Sequence, residues 1–194
     1  MAKRVLVIFG TSYGQTEKIA VRIGASLQRR GLSVELCNAA RTPPALPVEE
    51  YSAVVVGCSI IAKGHQPAIE RFVREHVTTL NRVPSAFFQV SASAGSADER
   101  GRAAAQRLLD EFVASHDWTP ILSASIAGAI NYTRYSFLLR WYMKRASAKH
   151  GGTTDTSRDH EYTDWAQVDR FALAIANAIN PLPERVREPA LSAG

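Results

Sequence analysis

Apolar residues fall along the chain in two rhythms. Unbroken runs such as Val5-Leu6-Val7-Ile8-Phe9 and Ala53-Val54-Val55-Val56 show no alternation, as strands buried on both faces require. Between such runs the apolar positions recur three and four residues apart, the spacing of one helical face. Ile19, Ala20, Ile23 and Leu27 mark a helix over 16–30, which Gly31 ends. Leu108, Leu109, Phe112 and Val113 mark one over 98–116, and Trp165, Val168, Phe171, Ala172 and Ile175 one over 164–179, with Thr163 as its cap. A further helix is predicted over 66–80, with Pro67 in its first turn. Strands are predicted over 4–9, 33–36, 53–57, 85–90 and 121–127. The prolines of 41–47 make a loop, and 151–162 is too polar for anything else.

Strands and helices alternate, so the fold class is α/β, a doubly wound five-stranded parallel sheet with helices on both faces. The 194 residues fit one domain over 1–180. Within it 134–163 reads as a basic helical insertion before the last helix, and 181–194 as a frayed tail. Ligands of such sheets bind at the carboxyl ends of the strands. The first loop there reads Gly10-Thr11-Ser12-Tyr13-Gly14-Gln15-Thr16. Backbone N–H groups at a helix start, with the positive end of its dipole, suit a phosphate. The alternative is a plain polar turn capped by Thr16. Neither the nucleoside-triphosphatase nor the dinucleotide glycine pattern is present. Two more loops, 57–66 and 91–98, carry glycine and serine directly after strands. Three such loops on one edge point to a phosphorylated cofactor.

Charge adds a second feature. The net charge is +5, and Arg134, Arg140, Lys144, Arg145 and Lys149 account for all of it in a stretch without Asp or Glu. Tyr135, Phe137, Leu138, Leu139, Trp141, Tyr142 and Met143 are interleaved with them. Aromatic and basic residues on one helix suit an anionic membrane surface. The competing reading packs the helix on the domain, with Trp141 in a satellite core. Nucleic acid is a weaker match, because one short basic segment is thin support for it. Apolar runs are too short for a membrane span or a signal peptide. Cys37 and Cys58 close apolar runs and read as reduced thiols, which places the protein in the cytoplasm. His65, His76, His116, His150 and His160 are scattered, so no metal site is expected.

Longer motifs carry a resemblance. Thr11 to Thr16 after the first strand resembles the phosphate loop of flavodoxins. Gly57-Cys58-Ser59-Ile60 with Gly64-His65, Leu80-Asn81 with Pro84-Ser85-Ala86-Phe87, and Ile126-Ala127-Gly128-Ala129 with Tyr132 and Arg134-Tyr135 extend it. With Gly151-Gly152, Thr154-Asp155-Thr156 and Tyr162-Thr163-Asp164-Trp165, the chain over 4–180 resembles the flavodoxin-type, menaquinone-dependent protoporphyrinogen oxidases. The stretch Ile61-Ala62-Lys63 departs from it, since better-known members carry an Arg-Tyr pair there. The loop after Ser91 departs as well, being less basic.

The resemblance implies a flavodoxin-like sheet of order 2-1-3-4-5 and FMN as cofactor. Thr11, Ser12, Gly14, Gln15 and Thr16 would then hold the phosphate, and Tyr13 would stand in for the aromatic neighbour of the ring that Ile61 and Ala62 do not supply. Ser59, Ile60, Ile61, Ala62 and Lys63, with Ser91, Ala92, Ser93, Ala94 and Gly95, would flank the ring. It implies oxidation of protoporphyrinogen IX to protoporphyrin IX in heme biosynthesis, with menaquinone or ubiquinone as acceptor, and a peripheral place on the inner face of the cell membrane. Arg134, Arg140, Trp141, Lys144 and Arg145 are the candidates for contact with substrate or membrane. The alternatives are a flavodoxin-like electron carrier, which the positive charge disfavours, and a soluble quinone reductase, which lacks a nicotinamide fingerprint. Self-association into a homo-oligomer is left open.

Overall fold

Strands β1 (Arg4–Gly10), β2 (Ser33–Asn38), β3 (Ala53–Ser59), β4 (Ser85–Ser91) and β5 (Leu122–Ala127) make one parallel sheet in the order β2-β1-β3-β4-β5. This computed structural model describes residues 2–41, 46–61, 64–149 and 152–180. The predicted tail, 181–194, lies outside the described residues. The central strands are apolar without alternation because helices cover both their faces. On one face α1 (Gln15–Gln28) and α5 (Trp165–Ile179) bury Ile19, Ile23, Val168 and Ile175 against Val5, Val7 and Val55. On the other, α2 (Pro67–Arg82) and α3 (Glu99–Ser115) bury Ile69, Val73, Leu109 and Phe112 against Leu6, Val54 and Phe87. Each such side chain contributes about 1.5–3 kcal/mol by leaving water.

The segment between β5 and α5 differs from its sequence reading. It opens with β6 (Ala129–Ile130), which pairs antiparallel with β7 (His160–Glu161) inside the expected loop. Tyr132–Arg134 is a 3₁₀ turn, so the basic helix, α4 (Phe137–Lys149), starts after Arg134. The segment closes on itself. Tyr132 Oη and Ser147 Oγ both donate to the Thr153 carbonyl, at 3.0 and 2.7 Å. Asp155 accepts from Ser157 N and Oγ at 3.0 and 2.6 Å, which builds the turn of the Thr154-Asp155-Thr156 motif. A small apolar cluster of Ile130, Tyr132 and Tyr135, with Tyr13, Ala92, Leu139, Met143 and Tyr162 against it, fastens the segment over the carboxyl end of the sheet.

At the last helix the cap is Asp164, whose side chain accepts from Ala166 N at 2.9 Å. The preceding Thr163 is turned inward instead. Its hydroxyl donates to the Ala127 carbonyl at 2.7 Å and accepts from Gln15 Nε2 at 2.9 Å.

Candidate functional site

The tip of β1 and the start of α1 are shaped by two glycines. A Cβ on Gly10 would meet Ile69 Cγ1 at 2.8 Å and Gln66 Cβ at 3.0 Å, so α2 begins hard against the strand end. Gly14 sits at φ +93°, a left-handed conformation that an L side chain strains. Its N–H donates to Thr11 Oγ1 at 2.9 Å. Gly14 is the N-cap of α1, and no side chain caps that helix. Helix-start N–H groups are therefore left for another acceptor. Thr16 does not cap the helix either. It is 1 % exposed, and its Oγ1 has no hydrogen-bond partner. A buried hydroxyl left unpaired costs about 1–3 kcal/mol. A phosphate oxygen in the cradle would supply the missing acceptor, so these residues fit the phosphate of a flavin mononucleotide.

Gln15 is buried and spends its amide on Thr163, which ties the loop to β5. Gln66 was not foreseen from the sequence. Its Nε2 donates to Ser12 Oγ and, at 2.9 Å, to Ser59 Oγ, joining the first loop to the second. Ile60 N donates to the Val90 carbonyl at 2.8 Å. Ile61 and Gly64 exchange backbone hydrogen bonds at 3.1 and 2.9 Å, which pinches off a tight bend. Ala62 and Lys63 lie outside the described residues. In the third loop Ser91 Oγ accepts from Ala94 N at 3.1 Å and a 3₁₀ turn spans Ser93–Gly95.

The three loops open into one cleft of about 620 Å³. Cofactor pockets run roughly 300–1,000 Å³. Of the residues expected at a cofactor, Thr11, Ser12, Tyr13, Gln15, Thr16, Ser59, Ile60, Ile61, Ser91, Ala92, Ser93 and Gly95 line it, while Gly14 and Ala94 do not. Tyr13 meets Tyr135 edge to face, with ring centroids 4.7 Å apart, and both line the cleft. Burial pushes the Tyr135 phenol above its usual range, so it stays protonated at neutral pH. Tyr162 also lines the cleft, with its hydroxyl buried and unpartnered. Sequence reasoning missed Tyr135 and Tyr162 as lining residues because the β6–β7 pairing that places them was not visible to it.

The cations of the inserted segment divide. The Arg134 guanidinium donates to the Tyr13 carbonyl at 3.3 Å, in the loop between β1 and α1. Arg140 is half-buried and donates to the Tyr135 carbonyl at 3.3 Å. Lys144 and Arg145 are exposed, and Arg145 stacks over Trp141 at 5.1 Å. Trp141 is 56 % exposed, so it forms no satellite core. None of these cations lines the cleft. The arginine that does is Arg107 of α3.

Two titratable groups flank the site without entering it. Burial pushes the Cys58 thiol up to about 12, so it stays protonated and unreactive. Burial pulls His65 down to about 4, stacked 4.2 Å from Phe112, so it is neutral at physiological pH.

Comparison with known proteins places this geometry. Residues 6–157 match the Flavodoxin domain family. The chain is 35% identical over 174 residues to the Escherichia coli K12 protein named protoporphyrinogen IX dehydrogenase [quinone], covering 90% of this chain and 95% of that one. A Leishmania major protein of the same name is 34% identical over 138 residues, 70% of this chain and 59% of its own length. Among solved structures, oxidised flavodoxin 1 from Bacillus cereus superposes with a TM-score of 0.56 at 16% identity, over 90% of this chain and 98% of that one. A flavodoxin from the domain Archaea gives 0.53 at 17% identity, over 91% and 98%. At such low identity these two bear on the fold, and the strand order agrees with them.

Proposed function

The chain belongs to the flavodoxin family, and on that premise we propose that it is an FMN-dependent oxidoreductase that converts protoporphyrinogen IX to protoporphyrin IX and delivers the electrons to a quinone. The observation that carries this reading is the 35% identity to a quinone-dependent protoporphyrinogen IX dehydrogenase across 90% of the chain. The orphaned Thr16 hydroxyl and the cleft above it give the reading a physical site.

Bound in that site, FMN supplies the two-electron redox chemistry that the protein's own side chains lack. The residues supply the rest. Thr11, Ser12, Thr16 and the free N–H groups at the start of α1 would hold the FMN phosphate. Arg134 adds positive charge at the rim of the same loop. The backbone of Ser59–Ile61 and of Ser91–Gly95 would flank the ring, with the Tyr13–Tyr135 pair excluding water beside it. Over repeated two-electron steps the porphyrinogen loses hydrogen, and each step reduces one quinone to its quinol.

The quinone's home is the bilayer, and α4 is built to meet it. Phe137, Leu138 and Trp141 are 79, 77 and 56 % exposed, next to exposed Lys144 and Arg145. Apolar anchors and cations together favour an anionic lipid surface. Among the described residues no helix is long and apolar enough to cross a membrane. Our reading places the protein on the cytoplasmic side, held peripherally on the inner face of the membrane by the exposed apolar and basic residues of α4.

The test is anaerobic mixing of the purified yellow protein with protoporphyrinogen IX. The flavin absorbance should bleach, and addition of a menaquinone or ubiquinone analogue should restore it while protoporphyrin accumulates. Flavin that stays oxidised under porphyrinogen, or protein that takes up no FMN, overturns the proposal.

A further inference from the structure

The cleft is larger than its phosphate cradle and loop tips account for. One wall runs down α3 through Ala104, Leu108 and Glu111, spaced four and three residues apart so that they share one face, with Arg107 beside them. At 1.5 Å rise per residue, Ala104 to Glu111 spans about 10 Å, and it begins more than a turn inside the helix. This stretch therefore leads away from the strand ends, where a flavin belongs. The other wall is α4, through Leu139, Tyr142, Met143 and Ala146, again on one helical face. The inward face of α4 thus lines a groove, while its outward face carries Phe137, Leu138 and Trp141.

The groove's chemistry is specific. Its helical walls are apolar or aromatic except for Arg107, Glu111 and Ser147, and the Ser147 hydroxyl is already spent on the Thr153 carbonyl at 2.7 Å. Arg107 is exposed and has no ion pair or hydrogen bond among the described residues. No ion pair joins it to Glu111, one turn along the helix. A guanidinium free at the mouth of an apolar slot fits a ligand with a broad apolar body and a carboxylate at its edge. A quinone has the body and lacks the carboxylate.

We propose that the groove between α3 and α4 is the tetrapyrrole site, with the macrocycle between Leu108 and Met143 and one propionate on Arg107. The proposal rests on the functional reading above and adds to it a place and a recognition residue. Glu111 limits the affinity, because it presents a like charge to the second propionate.

The test uses the FMN-loaded enzyme with a quinone acceptor and two donors, protoporphyrinogen IX and its dimethyl ester. Wild type should oxidise both. Arg107→Gln should raise KM for the free acid about fivefold, the scale of one partly screened ion pair, and leave kcat and the ester's KM unchanged. Glu111→Gln should lower KM for the free acid. Leu108→Trp, which fills the slot, should raise KM for both donors with FMN retention and the quinone KM intact. An equal response of acid and ester to Arg107→Gln overturns the proposal, as does a Leu108→Trp effect confined to the quinone, which would make the groove the acceptor's site. Arg107→Gln also decides the matter alone should Leu108→Trp fail to fold. Wild-type protein that oxidises neither donor overturns the functional reading itself; active wild type with unresponsive variants overturns the groove assignment alone.

Discussion

Arg134 reaches from the inserted segment to the phosphate loop, where its guanidinium donates to the carbonyl of Tyr13 at 3.3 Å. A Cβ built on the neighbouring Gly14 would lie 4.0 Å from the same guanidinium. It is thus a cation set beside a cradle whose other donors are neutral. Arg134→Gln is expected to weaken FMN binding about five- to tenfold and to leave riboflavin binding unchanged, since riboflavin has no phosphate. Quenching of flavin fluorescence on titration of the apoprotein measures both. An equal loss for both flavins would mean that Arg134 only props the loop.

Thr16 supplies the complementary test. Its hydroxyl is buried and unpaired, so a ligand oxygen is its natural partner. Thr16→Asp places an anion against the phosphate and is expected to abolish FMN retention, whereas Thr16→Ser keeps the hydroxyl and should retain the cofactor. Flavin absorbance after exhaustive dialysis reads the outcome. Retention by Thr16→Asp at the wild-type level would show that the phosphate binds elsewhere.

Most of the sheet was legible because a strand covered on both faces has to be continuously apolar, as Val54, Val55 and Val56 are. The loop at 10–16 between β1 and α1 was legible because strand, glycine, hydroxyl and helix follow one another directly. The inserted segment was less so. Residues 129–130 and 160–161 are too short to leave a period of two, yet their pairing sets where Tyr135 and Tyr162 point. Thr163 and Asp164 are both good caps by composition, and only the reach of Gln15 to Thr163 decides between them. Arg107 looked like any other cation on an exposed helix. It becomes part of the cleft only because α4, distant in sequence, stands across from it.

The membrane attachment proposed for α4 involves residues that do not line the cleft, which makes it separable from the chemistry. Replacing Phe137, Leu138 and Trp141 with serine is expected to reduce sedimentation with anionic vesicles at least tenfold. Neutralising Lys144 and Arg145 should reduce it by several-fold and only at low salt, because each cation near such a surface contributes about 1 kcal/mol that salt screens. Turnover with a short-chain, water-soluble quinone should be unaffected by either set. Unchanged sedimentation of the serine variant would remove the membrane role of α4.

His65 sets an acid limit on stability. Burial holds its folded pKa near 4, below the ordinary value of 6.5. Between those values the unfolded chain binds a proton that the folded chain refuses, so stability rises with pH across that window. The contribution is complete above about pH 6.5 and lost as the pH falls toward 4. Because the ring is only partly enclosed, solvent reduces it to about 1–2 kcal/mol. His65→Phe, which keeps a ring to stack on Phe112, should therefore lose less stability than wild type between pH 7 and pH 4.5. Urea unfolding at the two pH values measures the difference for each protein. Identical losses in wild type and variant would show that acid sensitivity arises from other groups.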